Sequence, residues 1–304
     1  MSIPGRITHN MMSQHLLTDI RRSNHEIARS SNEITSGKRI TTASDDPTGA
    51  HRALRLRAEL AENEANKAGV DATIGWTTTS DAALASVNDI ILRTRELVIQ
   101  GANDTLQPAD RQLIAKELGQ LLEQVKSNAN AKFGDDYVFG GQDSGNAPYT
   151  AGAVDTYGGD AGAVVRSIGP GQTLQVNVSG GAIFGGTPGD GKLLDTMRTA
   201  IANLNGSTPA DLASLRGGVL QGLTANLDTV LSARSTIGAA QNRAQLADSR
   251  LADVKLAVTS QLVAVEDVDL PEAITRLSSQ QSAYQAALSA GANVIQPSLM
   301  DFLR

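Results

Sequence analysis

Residues 36–50 read SGKRITTASDDPTGA, and this stretch decides how the chain is organised. Gly37 stands where a helix would end, because glycine adopts the left-handed conformation of a helix C-terminus without steric cost. Ser44, Asp45 and Asp46 then precede Pro47. Proline suits a first helical turn, and the hydroxyl and carboxylates before it can accept the orphan N–H groups there. The stretch therefore reads as a link between two helices, with Gly37, Asp45, Asp46 and Pro47 as its stop, caps and restart.

Upstream, Leu17, Ile20, Asn24, Ile27, Ser31 and Ile34 recur at steps of 3-4-3-4-3, a heptad seam with polar interruptions. Leu16 and Met12 widen it. Downstream, a helix is expected from about Thr48, with a polar break near Gly75 to Ser80 and a new apolar stripe from Ala83 to Val98. Gln107-Pro108 starts another helix carrying Leu113, Leu118, Leu121, Leu122 and Val125 on one face.

The composition changes after residue 132. Six of the nine aromatic residues fall between Phe133 and Phe184, and residues 134–191 hold 16 of the 29 glycines. Thr173 to Val178 alternates with period two, as a half-buried strand does. Asp136–Phe139, Ala163–Ile168 and Ala182–Phe184 are further strand candidates, separated by turns at Asp143–Asn146 and Gly169–Gly171. From about residue 190 the helical period returns. Thr208-Pro209-Ala210-Asp211 carries a capping-box signature. Ile237, Ala240, Ala244, Ala247, Leu251, Val254 and Val258 form a second alanine-rich seam, extended by Leu262 and Val265. The 61 residues between Pro209 and Pro271 lack proline, a span of about 90 Å if wholly helical.

The expected fold is mainly α with an inserted β-rich domain: an elongated helical bundle in which N- and C-terminal helices pair. Its segments are an N-terminal core helix at 1–43, rod helices at 44–132, a β-rich outer domain at 133–190, rod helices at 191–268 and a C-terminal core helix at 269–304. Both end helices have seams diluted by alanine and serine. Such helices bury too little surface alone, so each is expected to pair with the other or with neighbouring copies.

Composition narrows the function. The 304 residues carry a formal net charge of -6, which argues against a broad basic surface for nucleic acid. Cysteine is absent, so thiolate metal sites, disulfides and cysteine nucleophiles are excluded. No apolar run reaches the ~20 residues of a membrane span, and the start MSIPGRITHNMMSQ lacks the apolar core of a secretory signal. Export by a signal-less route remains open.

The motifs that carry chemistry are incomplete. Gly186 to Leu193 approaches a P-loop, but Leu193 replaces the hydroxyl residue that would reach magnesium, and Pro188 removes an amide. His25-Glu26-Ile27-Ala28-Arg29 opens like a zinc motif, yet Arg29 stands where the second histidine belongs. The doublets Asp45-Asp46 and Asp135-Asp136 point their side chains apart. Asn177 and Asn205 open glycosylation-type triplets without a secretory signal to give them meaning. The expectation is no catalytic residue, no cofactor and no metal; a nucleotide-binding enzyme built on Gly186–Leu193 is the remote alternative.

Ser36-Gly37-Lys38-Arg39-Ile40 followed by Ser44-Asp45-Asp46-Pro47 resembles the N-terminal region of the bacterial flagellin family. Val265 to Asp269, Ala273 to Leu277 and the ending Ser298-Leu299-Met300-Asp301-Phe302-Leu303 resemble its C-terminal region. The resemblance covers about residues 1–145 and 210–304. Pro47 after the aspartate pair, Phe133 to Gly141, and the ending are more similar to the branch that joins hook to filament than to the filament subunit. The opening MSIPGRI departs from that branch, and filament flagellin is the alternative.

The resemblance implies a structural subunit of the bacterial flagellum that polymerises helically. Its terminal helices would fold together on assembly and line a hollow tube, with the next helices as wall and the β region outward. It implies an assembly interface at the helix seams through Leu17, Ile20, Ile27, Ile34, Leu277, Leu288, Leu299, Phe302 and Leu303. It also implies type III export, an export chaperone, and an extracellular place in the flagellum. The implied neighbours are copies of itself, another hook-associated protein and flagellin, with no nucleic acid and no membrane insertion.

Overall fold

The computed structural model describes residues 9–152 and 155–295. Leu299, Phe302 and Leu303 lie outside the described residues. In chain order the elements are α1 (His9–Ser36), α2 (Pro47–Gly101), α3 (Pro108–Ala129), β1 (Lys132–Phe133), β2 (Asp136–Tyr137), β3 (Val165–Gly169), β4 (Gln172–Gln175) and α4 (Gly180–Ile183). Then follow α5 (Leu193–Gly206), α6 (Pro209–Ser214), a π turn (Leu215–Val219), α7 (Leu220–Glu266) and α8 (Leu270–Ile295). The chain divides into two compact units, residues up to 61 with those from 255 onward, and residues 62–254.

In the first unit α1 and α8 pack antiparallel. Ser30 Oγ donates to Gln280 Oε1 at 2.8 Å, Arg276 Nη1 lies 3.5 Å from Glu33, and a Cβ on Gly291 would press against Leu16 Cδ2 at 2.7 Å. The pairing order 16 with 291, 30 with 280 and 33 with 276 fixes the antiparallel sense. The buried and half-buried residues of α1 are Leu16, Ile20, Ser23, Ile27, Ser30 and Ile34, together with Glu33. Those of α8 are Ala273, Leu277, Gln280, Tyr284, Ala287 and Gly291. Both stripes step 4-3-4-3-4, the spacing of a helix face that meets one partner.

This seam differs from the one expected through Leu17. Leu17 is 48% exposed, and Asn24 and Ser31 are exposed as well. Leu288 is 44% exposed and also stands off the seam. The heptad rows 16-23-30 and 17-24-31 flank the shared isoleucines on either side. The small side chains of Ser23 and Ser30 let α8 approach along the first row.

The second unit is held by one apolar cluster. It includes Trp76, Leu84, Ile91 and Leu97 of α2, Leu118 and Leu122 of α3, Leu194 and Met197 of α5, and Leu223, Val230 and Ile237 of α7. Val138, Phe139, Tyr149, Ile168, Leu174, Val176 and Phe184 of the middle segment belong to the same cluster. The middle holds less strand than its alternation suggests. β1 pairs antiparallel with β2, and β3 with β4 through a bulge at Ser167–Gly169. Gly171, at φ +66°, makes the β3–β4 turn possible. Ala182 and Ile183 lie in the short helix α4 rather than in a strand, with Phe184 at its end. Phe184 stacks edge-on against Phe139 and Tyr149 there.

The polar break expected at Gly75–Ser80 is absent: α2 runs through it. Thr73, Thr77 and Ser80 are buried, and their hydroxyls donate to the carbonyls of Gly69, Thr73 and Trp76. Each polar group is thus satisfied within its own helix. Trp76 packs edge-on against Phe133 with ring centroids 6.4 Å apart. The capping box at Thr208 forms in full, with Asp211 N donating to Thr208 Oγ1 at 3.2 Å and Thr208 N to Asp211 Oδ2 at 2.9 Å.

Burial sets the expected cost of truncation. Leu118 is fully buried and Leu246 is 72% exposed. Leu118→Ala is expected to cost about 2–5 kcal/mol in chemical denaturation, and Leu246→Ala less than about 0.5 kcal/mol.

Candidate assembly site

The two helix links, 37–46 and 267–269, meet in the first unit. α1 gives way at Gly37, φ +69°, to a link of bends and turns that runs to Asp46. Lys38 forms an antiparallel bridge with Asp267. Arg39 N donates to Glu266 O at 2.7 Å and Val268 N to Gly37 O at 3.1 Å. Arg39 Nη2 also donates to Val265 O at 2.9 Å.

Glu266 sits at the centre, 5% exposed. Its Oε1 accepts from Lys38 Nζ at 3.2 Å and from Arg57 Nη2. Lys38 comes from the first link, Arg57 from α2 and Glu266 from the end of α7, so one carboxylate ties three segments together. A buried carboxylate with two cationic donors is satisfied; without them it would carry a large desolvation cost.

The remainder of the first link is organised by its two aspartates. Asp45 Oδ2 accepts from Thr42 N at 2.8 Å, Thr41 N at 3.1 Å and Thr41 Oγ1 at 3.1 Å. The Thr42 amide and hydroxyl, then the Thr41 amide, hold its carboxyl at about 2. Asp46 Oδ1 accepts from Gly49 N at 2.9 Å at the start of α2, immediately before Pro47. Asp46 also lies 3.6 Å from Arg39 Nη1. Ile40 is buried at 5% exposure beside Gly49, where any side chain would collide with Ile40 and Asp46.

The sequence-named residues separate into groups. Gly37, Asp45, Asp46 and Pro47 come together in the link. Ile20, Ile27, Ile34 and Leu277 lie on the α1–α8 seam, half-buried. Leu17 and Leu288 are exposed apolar side chains off it, as are Met11, Met12 and Ile274. Arg57, Ser30, Gln280 and Gly291 were not singled out from the sequence, and Lys38 and Glu266 stood out there only as members of family motifs, not as an ion pair. A charge in one segment gives no local sign of a partner more than 200 residues away. Gly291 alone carried a signal, as a glycine inside a helical pattern.

The P-loop-like segment is filled by its own carboxylates. Asp190 Oδ2 accepts from Gly186 N at 2.9 Å and Thr187 N at 3.2 Å, and its Oδ1 from Lys192 N at 2.8 Å. Asp195 accepts from Gly189 N at 2.8 Å and Gly191 N at 3.1 Å. Burial pushes the Asp190 carboxyl up, but these amides outweigh it and hold the group below its ordinary range. The amides that would cradle a phosphate already hold anions. The zinc-like pair is equally occupied by surface chemistry: His25 and Glu26 are exposed, and Arg29 pairs with Glu33 at 3.2 Å.

Helices α1 and α8, antiparallel and tied through their links, with Met11, Met12, Leu17, Ile274 and Leu288 exposed off their seam, make up the site. Comparison with known proteins gives the family. The bacterial flagellin N-terminal helical region matches residues 7–144, and the bacterial flagellin C-terminal helical region matches residues 220–303. This chain belongs to the bacterial flagellin family.

Among its relatives is flagellar hook-associated protein 3 of Salmonella typhimurium, 26% identical over 302 residues, covering 93% of this chain and 94% of that protein. Flagellin of Bacillus subtilis is 25% identical over 311 residues, covering 98% of this chain and 100% of that one. Among solved structures, flagellar hook associated protein-3 of Legionella pneumophila superposes with a TM-score of 0.61 at 16% identity. It covers 69% of this chain and 98% of that chain, a likeness of fold.

Two predictions follow from the link. Glu266→Ala leaves Lys38 and Arg57 without their shared acceptor; both are half exposed and return to water, so the loss is about 1–2 kcal/mol by thermal or urea unfolding. Asp45 has a folded pKa of about 2, below the ~3.9 of an unfolded aspartate. Its stabilisation is therefore present above about pH 4 and lost as pH falls toward 2. The difference in melting temperature between wild type and Asp45→Asn should be constant above about pH 5 and close near pH 2.

Proposed function

We propose that this chain is the subunit joining hook to filament in the bacterial flagellum, assembling helically through its terminal helices. The observation that carries the reading is the end-to-end match to hook-associated protein 3, 93% of this chain against 94% of that one. The outer faces of α1 and α8 support it: Met11, Met12, Leu17, Ile274 and Leu288 are between 44% and 55% exposed on the single chain. Those side chains are surface that neighbouring subunits would cover.

In this reading residues 1–43 and 269–304 are the core helices, 44–132 and 191–268 the rod, and 133–190 the outward region. Leu17 and Leu288 then serve contacts between subunits, while Ile20, Ile27, Ile34 and Leu277 serve the pairing within one. The subunit leaves the cell by the flagellar export route, escorted by an export chaperone, and stands between another hook-associated protein and the first flagellin. Its work is structural and needs no cofactor.

The near end-to-end match to Bacillus subtilis flagellin favours a second reading, the bulk filament subunit. Copy number separates the two. Quantitative mass spectrometry of sheared flagella with hooks attached should find a few copies per flagellum, close to one ring of subunits. Abundance rivalling the major filament protein would assign the chain to the filament instead.

A further inference from the structure

The helix that begins at Pro209 does not pass into α7 as regular α-helix. Leu215–Val219 is a π turn, and immediately after it the Leu220 amide donates to Gly217 O, three residues back. The buried stripe here runs Leu212, Leu215, Val219, Leu223, Asn226 and Val230. From 212 to 230 the stripe averages the 3.6-residue period of regular α-helix, so the burial pattern itself does not call for a wider turn. Leu215 and Val219, the first and last residues of the π turn, both point inward, at 0% and 3% exposure.

The composition of the π turn is also unusual. Gly217 and Gly218 occupy its middle, and a Cβ at either would meet no atom within 4 Å. Neither has a positive φ. By contrast Gly49, Gly69, Gly75, Gly101 and Gly291 each lie where a side chain would strike a neighbour. Gly119 and Gly238 also stand free, but singly and in regular α-helix. Alanine would fit at 217 and 218 and would favour the helical state by up to about fivefold at each. The pair therefore softens a turn that packing did not require to be soft.

The turn is also tethered. Arg216 Nε and Nη2 donate to Ala102 O at 3.0 and 2.6 Å, and Nη2 reaches the Asp104 carboxylate. Arg111, 4% exposed, donates from Nε to Gly101 O at 3.1 Å and from Nη2 to Asn103 O at 2.9 Å. Two arginines thus hold the carbonyls that end α2, one of them from within the π turn.

We infer that residues 215–219 are a compliance joint. Gly217 and Gly218 let the capped turn 208–214 shift against α7, while Leu215, Val219 and the Arg216 tether keep both sides attached to the core. The joint is a property of the single folded chain and stands apart from the assembly reading.

Amide hydrogen exchange on the full-length chain tests it. Protection factors at Val219 and Leu220 should be at least about tenfold below those of the equally buried turn 226–230. Gly217→Ala/Gly218→Ala should raise them about tenfold without lowering the melting temperature. Arg216→Gln should lower them further, together with those at 102–104. Wild-type protection at Val219 and Leu220 equal to that of 226–230 would overturn the joint, even if the alanine pair failed to fold. So would protection that the alanine pair leaves unchanged. Unchanged protection in Arg216→Gln would remove Arg216 as its tether.

Discussion

The buried carboxylate of Glu266 is the constraint on which the terminal unit depends. Lys38 and Arg57 bind it, and the Arg39 and Val268 amides close a short antiparallel bridge on either side. Together they fix where α1 ends, where α2 begins and where α7 gives way to α8. Two helices with few large apolar side chains have little to align them along most of their length. The link supplies that alignment at one end, and the Ser30–Gln280 hydrogen bond and the Gly291–Leu16 contact carry it along the pair. The exposed leucines and methionines of α1 and α8 stand outside that seam.

The larger unit solves a different problem. Its long helix α2 carries Thr73, Thr77 and Ser80 at core positions, and these three satisfy their hydroxyls on their own helix's carbonyls. Glycine appears where another segment must come close, as at Gly69 under the Ser167 carbonyl, which a Cβ would approach to 2.6 Å. The segment rich in glycine and aromatics adds bulk to the helical core through Phe139, Tyr149 and Phe184. It is an extension of that core by side chains, with little regular sheet of its own.

Local chemistry was the part most legible in the sequence. Pro47, Pro108 and Pro209 mark helix starts, Gly37 marks a stop, and the Thr208–Asp211 box forms as its spacing requires. The α1–α8 seam was read one residue out of phase at every other step. Ile20, Ile27 and Ile34 satisfy either stripe, and the choice between Leu16 and Leu17 is made by α8, which no pattern inside α1 reveals. The ion pairs at Glu266 join residues more than 200 positions apart and leave no periodic trace. The strand expected at Ala182–Phe184 failed because a short apolar run has no period of its own, and packing around Phe184 chose a helical turn.

The bridge between the two links can be measured directly by amide exchange of the full-length chain, resolved at Arg39 and Val268 and compared with Ala43 in the same link. The account predicts that Arg39 and Val268 are both protected, at least about a hundredfold more than Ala43, and that Glu266→Ala lowers both together. Exchange at Arg39 and Val268 as fast as at Ala43 would contradict it, because α1 and α8 would then be aligned by something other than Glu266 and its bridge.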